Sequence, residues 1–212
     1  MFPCLYLLGW LLAQPLTLFG SLFEGEILSL IGTFFTFLIF ISLLPYWAKY
    51  RWKAKRNFWR LIGIRDLAYN YSIKYFLNGL LIASFMLSAI LVFLFLFFDD
   101  IVFGRFNISI FLNSIFLGFL VSFAEELIFR GWLTCEASLI LGDNLSLSLQ
   151  AFIFSLVHFN FSEDIFLAFP ILISLFILGG VLIQRRILDQ GSLWGAIGIH
   201  AGLVGGWFYI QN

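Results

Sequence analysis

YFLNGLLIASFMLSAILVFLFLFF, residues 75–98, runs for 24 residues without a charged side chain. Wound as an α-helix at about 1.5 Å per residue it reaches about 36 Å, enough to cross a hydrocarbon layer of about 30 Å. Strand-like alternation is missing, so a helix is expected and a lipid-facing β-barrel is disfavoured. Six further apolar runs flank this one: 5–23, 27–47, 108–124 with a helical continuation, 145–161, 165–183 and 193–210. The run at 5–23 is the weakest, because Gln14 and Pro15 interrupt it. The fold expected is therefore all-α, a polytopic transmembrane helix bundle of six to eight spans.

Composition agrees. Of 212 residues 62% are hydrophobic and only 11% charged, with twelve basic residues balanced by twelve acidic ones. So much apolar surface exceeds what a soluble core of this size hides. A soluble enzyme, a disordered region and a nucleic-acid binder acting through a basic surface are excluded, leaving an integral multi-pass membrane protein. Cys4 and Cys135 lie in apolar surroundings without metal-type spacing and read as buried small hydrophobes. No basic residue precedes the first run, which disfavours a cleaved signal peptide, and no CAAX-type ending marks the chain for prenylation.

Charge predicts orientation. Eight basic residues fall between Lys49 and Lys74, and Arg130, Arg185 and Arg186 fall in later connections. With segment 48–74 cytoplasmic, eleven of the twelve basic residues share that side and only Arg105 disagrees. The aromatic and basic residues of 48–74 suit an amphipathic segment at an anionic membrane surface better than a partner-binding arm. Domain organisation is expected as N-terminal spans over 1–107, carrying this interfacial segment, and a second helical bundle over 108–212.

Charged residues inside spans are costly and need a reason. FAEELIFR, residues 123–130, places two carboxylates and a guanidinium in a greasy helix. Glu126 and Arg130 are four apart on one face and can pair. Glu125 points about 100° away and lacks that partner, which suits a general base. Both histidines, His158 and His200, also lie in apolar runs. Taken singly, each is more often a hydrogen-bonded packing residue than a catalyst. Position 141.5 lies midway between 125 and 158, and LGDN at 141–144 is a turn. Two helices folded there bring Glu125 and His158 to nearly equal depth. The same arithmetic leaves His200 about 10 Å off that level, an offset that tilt can absorb.

Glu125–Glu126–x–x–x–Arg130, Phe154–x–x–x–His158 and His200 in a glycine-rich last run resemble the CPBP family, also called ABI. This family contains CAAX proteases and bacteriocin-processing enzymes that are polytopic intramembrane endopeptidases. The resemblance covers residues from 108 to the C-terminal end. It implies that Glu125 activates the attacking water, that His158 helps hold it and that His200 stabilises the oxyanion. Glu126 and Arg130 would support the site as a structural pair. The implied partners are a peptide or protein substrate, prenylated among the family's name-giving CAAX substrates, and the lipid bilayer; no nucleic acid is implied.

One position departs from the family pattern. Where a polar oxyanion donor is common four residues after the last histidine, this chain has Val204, which donates nothing. A backbone N–H near Gly205–Gly206 or the Asn160 side chain are the substitutes to consider, although Asn160 points away from the His158 face. Zinc is the cofactor to weigh, since Glu125, His158 and His200 could hold it with a water in the fourth position. No H-E-x-x-H occurs, and the resemblance leans towards metal-independent glutamate chemistry. The alternative is a non-catalytic scaffold or immunity-type member that keeps these residues as a buried polar network. A small transporter using them as a proton path is disfavoured, because internal repeats and charges in the other spans are missing.

Overall fold

A computed structural model describes residues 2–19, 26–53, 57–65, 69–97, 106–159 and 165–212, all helix, turn and connection with no strand among them. Among the described residues, four helical stretches are long and apolar enough to cross a membrane: Ile27–Tyr50, Tyr71–Phe97, Ile108–Leu141 and Ala168–Leu188. The six to eight spans expected from sequence exceed that number. Two of the expected runs are carried by shorter apolar helices, Cys4–Leu18 and Asp143–Val157. The shortening at the first run has a local cause. Helix α1 (Phe2–Ala13) gives way to a 3-10 turn over Gln14–Phe19, where Pro15 removes a backbone donor.

The chain forms two compact units, Met1–Phe58 and Trp59–Asn212. In the first, α1 packs along α2 (Glu26–Tyr50). The contact is close: a Cβ on Gly9 would fall 2.1 Å from the Thr36 hydroxyl, and that hydroxyl donates to the Gly32 carbonyl at 2.8 Å. Cys4 is exposed on α1 rather than buried as expected, and Cys135 is half-buried; both are free thiols. An exposed thiol on an apolar helix is no anomaly where the solvent is lipid.

The second unit contains α3 (Phe58–Leu61) apart from its first residue, α4 (Tyr69–Phe97), α5 (Ile108–Glu126), α6 (Thr134–Leu141), α7 (Asp143–Val157), α8 (Ile165–Leu188) and α9 (Trp194–Gln211). The boundary expected at 107/108 falls inside this unit, because α4 packs along α9, as α5 also does. Small residues permit that approach. A Cβ on Gly79 would come within 2.3 Å of the Gly195 carbonyl oxygen, one on Gly198 within 2.2 Å of that of Phe76, and one on Gly118 within 2.6 Å of that of Ala201. The outer faces are greasy: Phe85 is 77% exposed and Leu81 68%, as a lipid-facing surface requires.

One helical rod carries the glutamates. The Asn107 side chain caps α5 by accepting from the amides of Ser109 and Ile110. Between α5 and α6 the backbone widens into a π-helical segment over Leu127–Leu133, where the Thr134 hydroxyl donates to the Phe129 carbonyl at 3.0 Å. The rod ends at Gly142, whose φ of +78° an L side chain rarely adopts, and α7 starts at Asp143. The turn expected at 141–144 is thus realised.

Candidate active site

Successive positions on α5 divide the two carboxylates as helical geometry requires. Glu126 turns inward and is fully buried, whereas the Glu125 side chain keeps 22% of its surface exposed. Glu126 Oε1 accepts from Arg130 Nη1 at 2.9 Å, with the guanidinium also fully buried. The paired face expected from the four-residue spacing is present, and it continues further. His200 Nδ1 lies 2.8 Å from the same Glu126 Oε1. A carboxylate only accepts, so Nδ1 carries the proton, and a chain runs Arg130–Glu126–His200.

His158 follows α7 and is held by its own helix. Its Nδ1 lies 2.8 Å from the Phe154 carbonyl oxygen, which fixes the proton on Nδ1 and leaves Nε2 facing away. That Nε2 is 3.5 Å from Glu125 Oε1, and His200 Nε2 is 3.7 Å from Glu125 Oε2. Two imidazole edges therefore meet one carboxylate. Glu125 Oε2 and Glu126 Oε2 are buried without a hydrogen-bond partner among the described residues. The five residues singled out in the sequence, Glu125, Glu126, Arg130, His158 and His200, come together in one cluster.

Phe154 is the packing centre of that cluster. The Arg130 Cζ stands 4.1 Å from its ring centroid, a cation–π contact, while His158 and His200 lie with ring centroids 4.7 and 5.9 Å away. Its position four residues before His158, on the same helical face, was a sequence signal for this role. Arg186 was harder to foresee. From the end of α8 its guanidinium donates to the carbonyls of Arg130, Leu61 and Gly191, tying the π-helical segment to the connections beside it. In the sequence Arg186 registered only as a positive charge between spans.

The cluster opens into a cavity of about 530 Å³ bounded by α4, α5, α7, α8 and α9. Glu125, His158 and His200 form its polar floor, and Leu87, Val121, Leu178 and Trp207 belong to its apolar walls. Val204 lines the same cavity, one turn beyond His200, and presents methyl groups there. Gly205 and Gly206 lie inside α9, whose backbone amides are committed to the helix. Asn160 lies outside the described residues. Among the described residues no group of three or more His, Cys, Asp and Glu is arranged to hold a metal ion.

Fold and site together define a membrane-embedded helical protein with a glutamate–histidine cluster at the floor of an apolar cavity. Residues 107–205 match the family described as type II CAAX prenyl endopeptidase, Rce1-like. Over that segment the chain is similar to this family, which supports the resemblance to the CPBP, or ABI, family. Residues 1–56 match a second family, described as a domain of unknown function (DUF8676). No curated protein and no solved structure matches the chain.

Proposed function

We propose that this protein is an intramembrane endopeptidase that hydrolyses a peptide bond with water activated by Glu125. The observation that carries the reading is the meeting of Glu125 with the Nε2 edges of His158 and His200 at the floor of an apolar cavity. A water between Glu125 and His158 finds two acceptors, a carboxylate oxygen and an imidazole lone pair. By donating one proton to each it keeps its own lone pair free to attack a carbonyl carbon in the cavity. Glu125 takes a proton as the C–O bond forms, then delivers it to the leaving amine as the C–N bond breaks. The balance is one water and one peptide bond consumed, one carboxylic acid and one amine formed.

His200 is the candidate for stabilising the oxyanion. Its Nδ1 proton is committed to Glu126, so it donates from Nε2 only as an imidazolium, with Glu126 accepting on its far side. Glu126 and Arg130 are positioning residues on this reading. Water serves without a metal; if zinc were held, Glu125, His158 and His200 would hold it. On this reading the chain crosses the membrane six to eight times, with segment 48–74 on the cytoplasmic side. The substrate is a peptide or protein, of which a lipidated chain suits the apolar walls.

Val204 favours a second reading, a non-catalytic scaffold or immunity-type member of the same family, because it offers no donor where the cavity needs one. Proteolysis of a mixed library of lipidated and unmodified peptides in liposomes separates the two. Wild-type cleavage that disappears in Glu125→Gln and survives a chelator is the expected result. Cleavage lost to the chelator makes the site a metal centre. No cleavage by folded wild-type protein favours the scaffold reading.

A further inference from the structure

A second, polar pocket of about 80 Å³ lies in the same unit, where the turn after α3 meets the turn between α8 and α9. The two turns are docked backbone to backbone. Leu193 N donates to the Gly63 carbonyl at 2.8 Å, Trp194 Nε1 donates to the Ile64 carbonyl at 2.9 Å, and a Cβ on Gly63 would fall 2.3 Å from the Gly191 carbonyl oxygen. The seam is a built part of the fold. Into its pocket face Arg60 and Arg65 from one side, Tyr71 and Tyr75 from the start of α4, and Ser192 from the other turn.

Depth identifies what the pocket meets. Tyr71 opens the apolar stretch Tyr71–Phe97 and Asp189 follows the end of Ala168–Leu188, so the pocket lies level with the ends of two candidate spans. In a bilayer that is the depth of the lipid headgroups. Charge identifies the ligand class. Among the described lining residues the acidic one is Asp189, whose carboxylate is paired with Arg185 Nε at 2.8 Å, and the guanidinium groups of Arg60 and Arg65 are the principal recognising groups, with the phenols of Tyr71 and Tyr75 lining the same pocket. Guanidinium forks match phosphate oxygens, and phenolic hydroxyls add neutral donors.

We propose that this pocket binds a phosphate group at the membrane interface, that of an anionic phospholipid headgroup or a free phosphate, held by Arg60 and Arg65 with Tyr71 and Tyr75 beside them. Occupancy braces the seam from which α9 departs towards His200. The full chain in detergent is titrated with short-chain phosphatidylglycerol, with the matching diacylglycerol and with inorganic phosphate, binding being read by native mass spectrometry. None of these readouts needs peptidase activity.

Wild-type protein is expected to hold phosphatidylglycerol, and the double variant Arg60→Gln, Arg65→Gln to weaken it at least about tenfold. Both side chains are exposed, so the double variant folds; Arg60→Lys, Arg65→Lys keeps the charge and is expected to retain part of the affinity. Inorganic phosphate binding with the same dependence on the two arginines assigns the pocket to a soluble phosphate. Diacylglycerol binding as tightly as phosphatidylglycerol overturns the proposal. So does equal phosphatidylglycerol binding by wild type and the double glutamine variant, or no binding of either phosphate compound.

Discussion

Glu125 and Glu126 are neighbours in sequence with opposite surroundings, and that contrast separates their substitutions. Glu125→Gln changes a partly exposed group at the cavity floor. It is expected to abolish cleavage while leaving stability within about 1 kcal/mol of wild type. Arg130→Ala strands the buried Glu126 carboxylate, and Glu126→Gln strands the guanidinium and loosens His200. Each is expected to cost about 3–5 kcal/mol, read by denaturation in detergent, as well as activity. Four variants of Glu125, Glu126, Arg130 and His158 with equal stability and purely catalytic losses would contradict this division. Val204→Asn tests the remaining position: restoring a donor one turn beyond His200 is expected to raise turnover at least about tenfold, and an unchanged rate would remove Val204 from the oxyanion argument.

Among the elements, α9 depends on its neighbours for placement. Its glycines let it lie against α4 and α5 at distances no larger residue tolerates, and His200 is carried on the same helix. Gly198→Val forces a branched side chain against the Phe76 carbonyl. It is expected to destabilise the unit by about 1–3 kcal/mol. It is also expected to lower the proposed cleavage activity without touching a site residue. A variant as stable and as active as wild type would show that the close contact is dispensable.

The legible and illegible parts of the site divide at this scale. The separation of Glu125 from the Glu126–Arg130 pair follows from helical periodicity, and the levelling of Glu125 with His158 follows from the turn at Gly142. His200 did not follow. Counting residues left it about 10 Å away, yet its Nε2 is 3.7 Å from Glu125. Helix tilt is set by side-chain packing between helices, which no residue count contains. The π-helical segment was hidden for the same reason: its carbonyls are served by Thr134 and by Arg186 from a distant helix.

For the molecule as a whole, the apolar runs in the sequence outnumber the four described helical stretches long and apolar enough to cross a membrane. The grouping of basic residues in segment 48–74 gives an expectation for orientation that a labelling experiment can test. Lys53 belongs to the basic segment proposed to be cytoplasmic. With Cys4 and Cys135 replaced, a cysteine at Lys53 is expected to react with an impermeant maleimide in inverted vesicles and not in intact cells. Labelling in intact cells would reverse the orientation.

Helix α7 is the shortest of the three helices that bear site residues and cavity wall in common, at 15 residues, and it spans only about 22 Å. Set in a hydrocarbon layer of about 30 Å, it leaves the bilayer to make up the difference by thinning around it. His158 follows this helix directly, so such a dip in the lipid would fall nearest the point where the proposed endopeptidase takes up its water. Bilayer thickness then becomes a control on the reaction: the same protein should turn over faster in short-chain than in long-chain lipid.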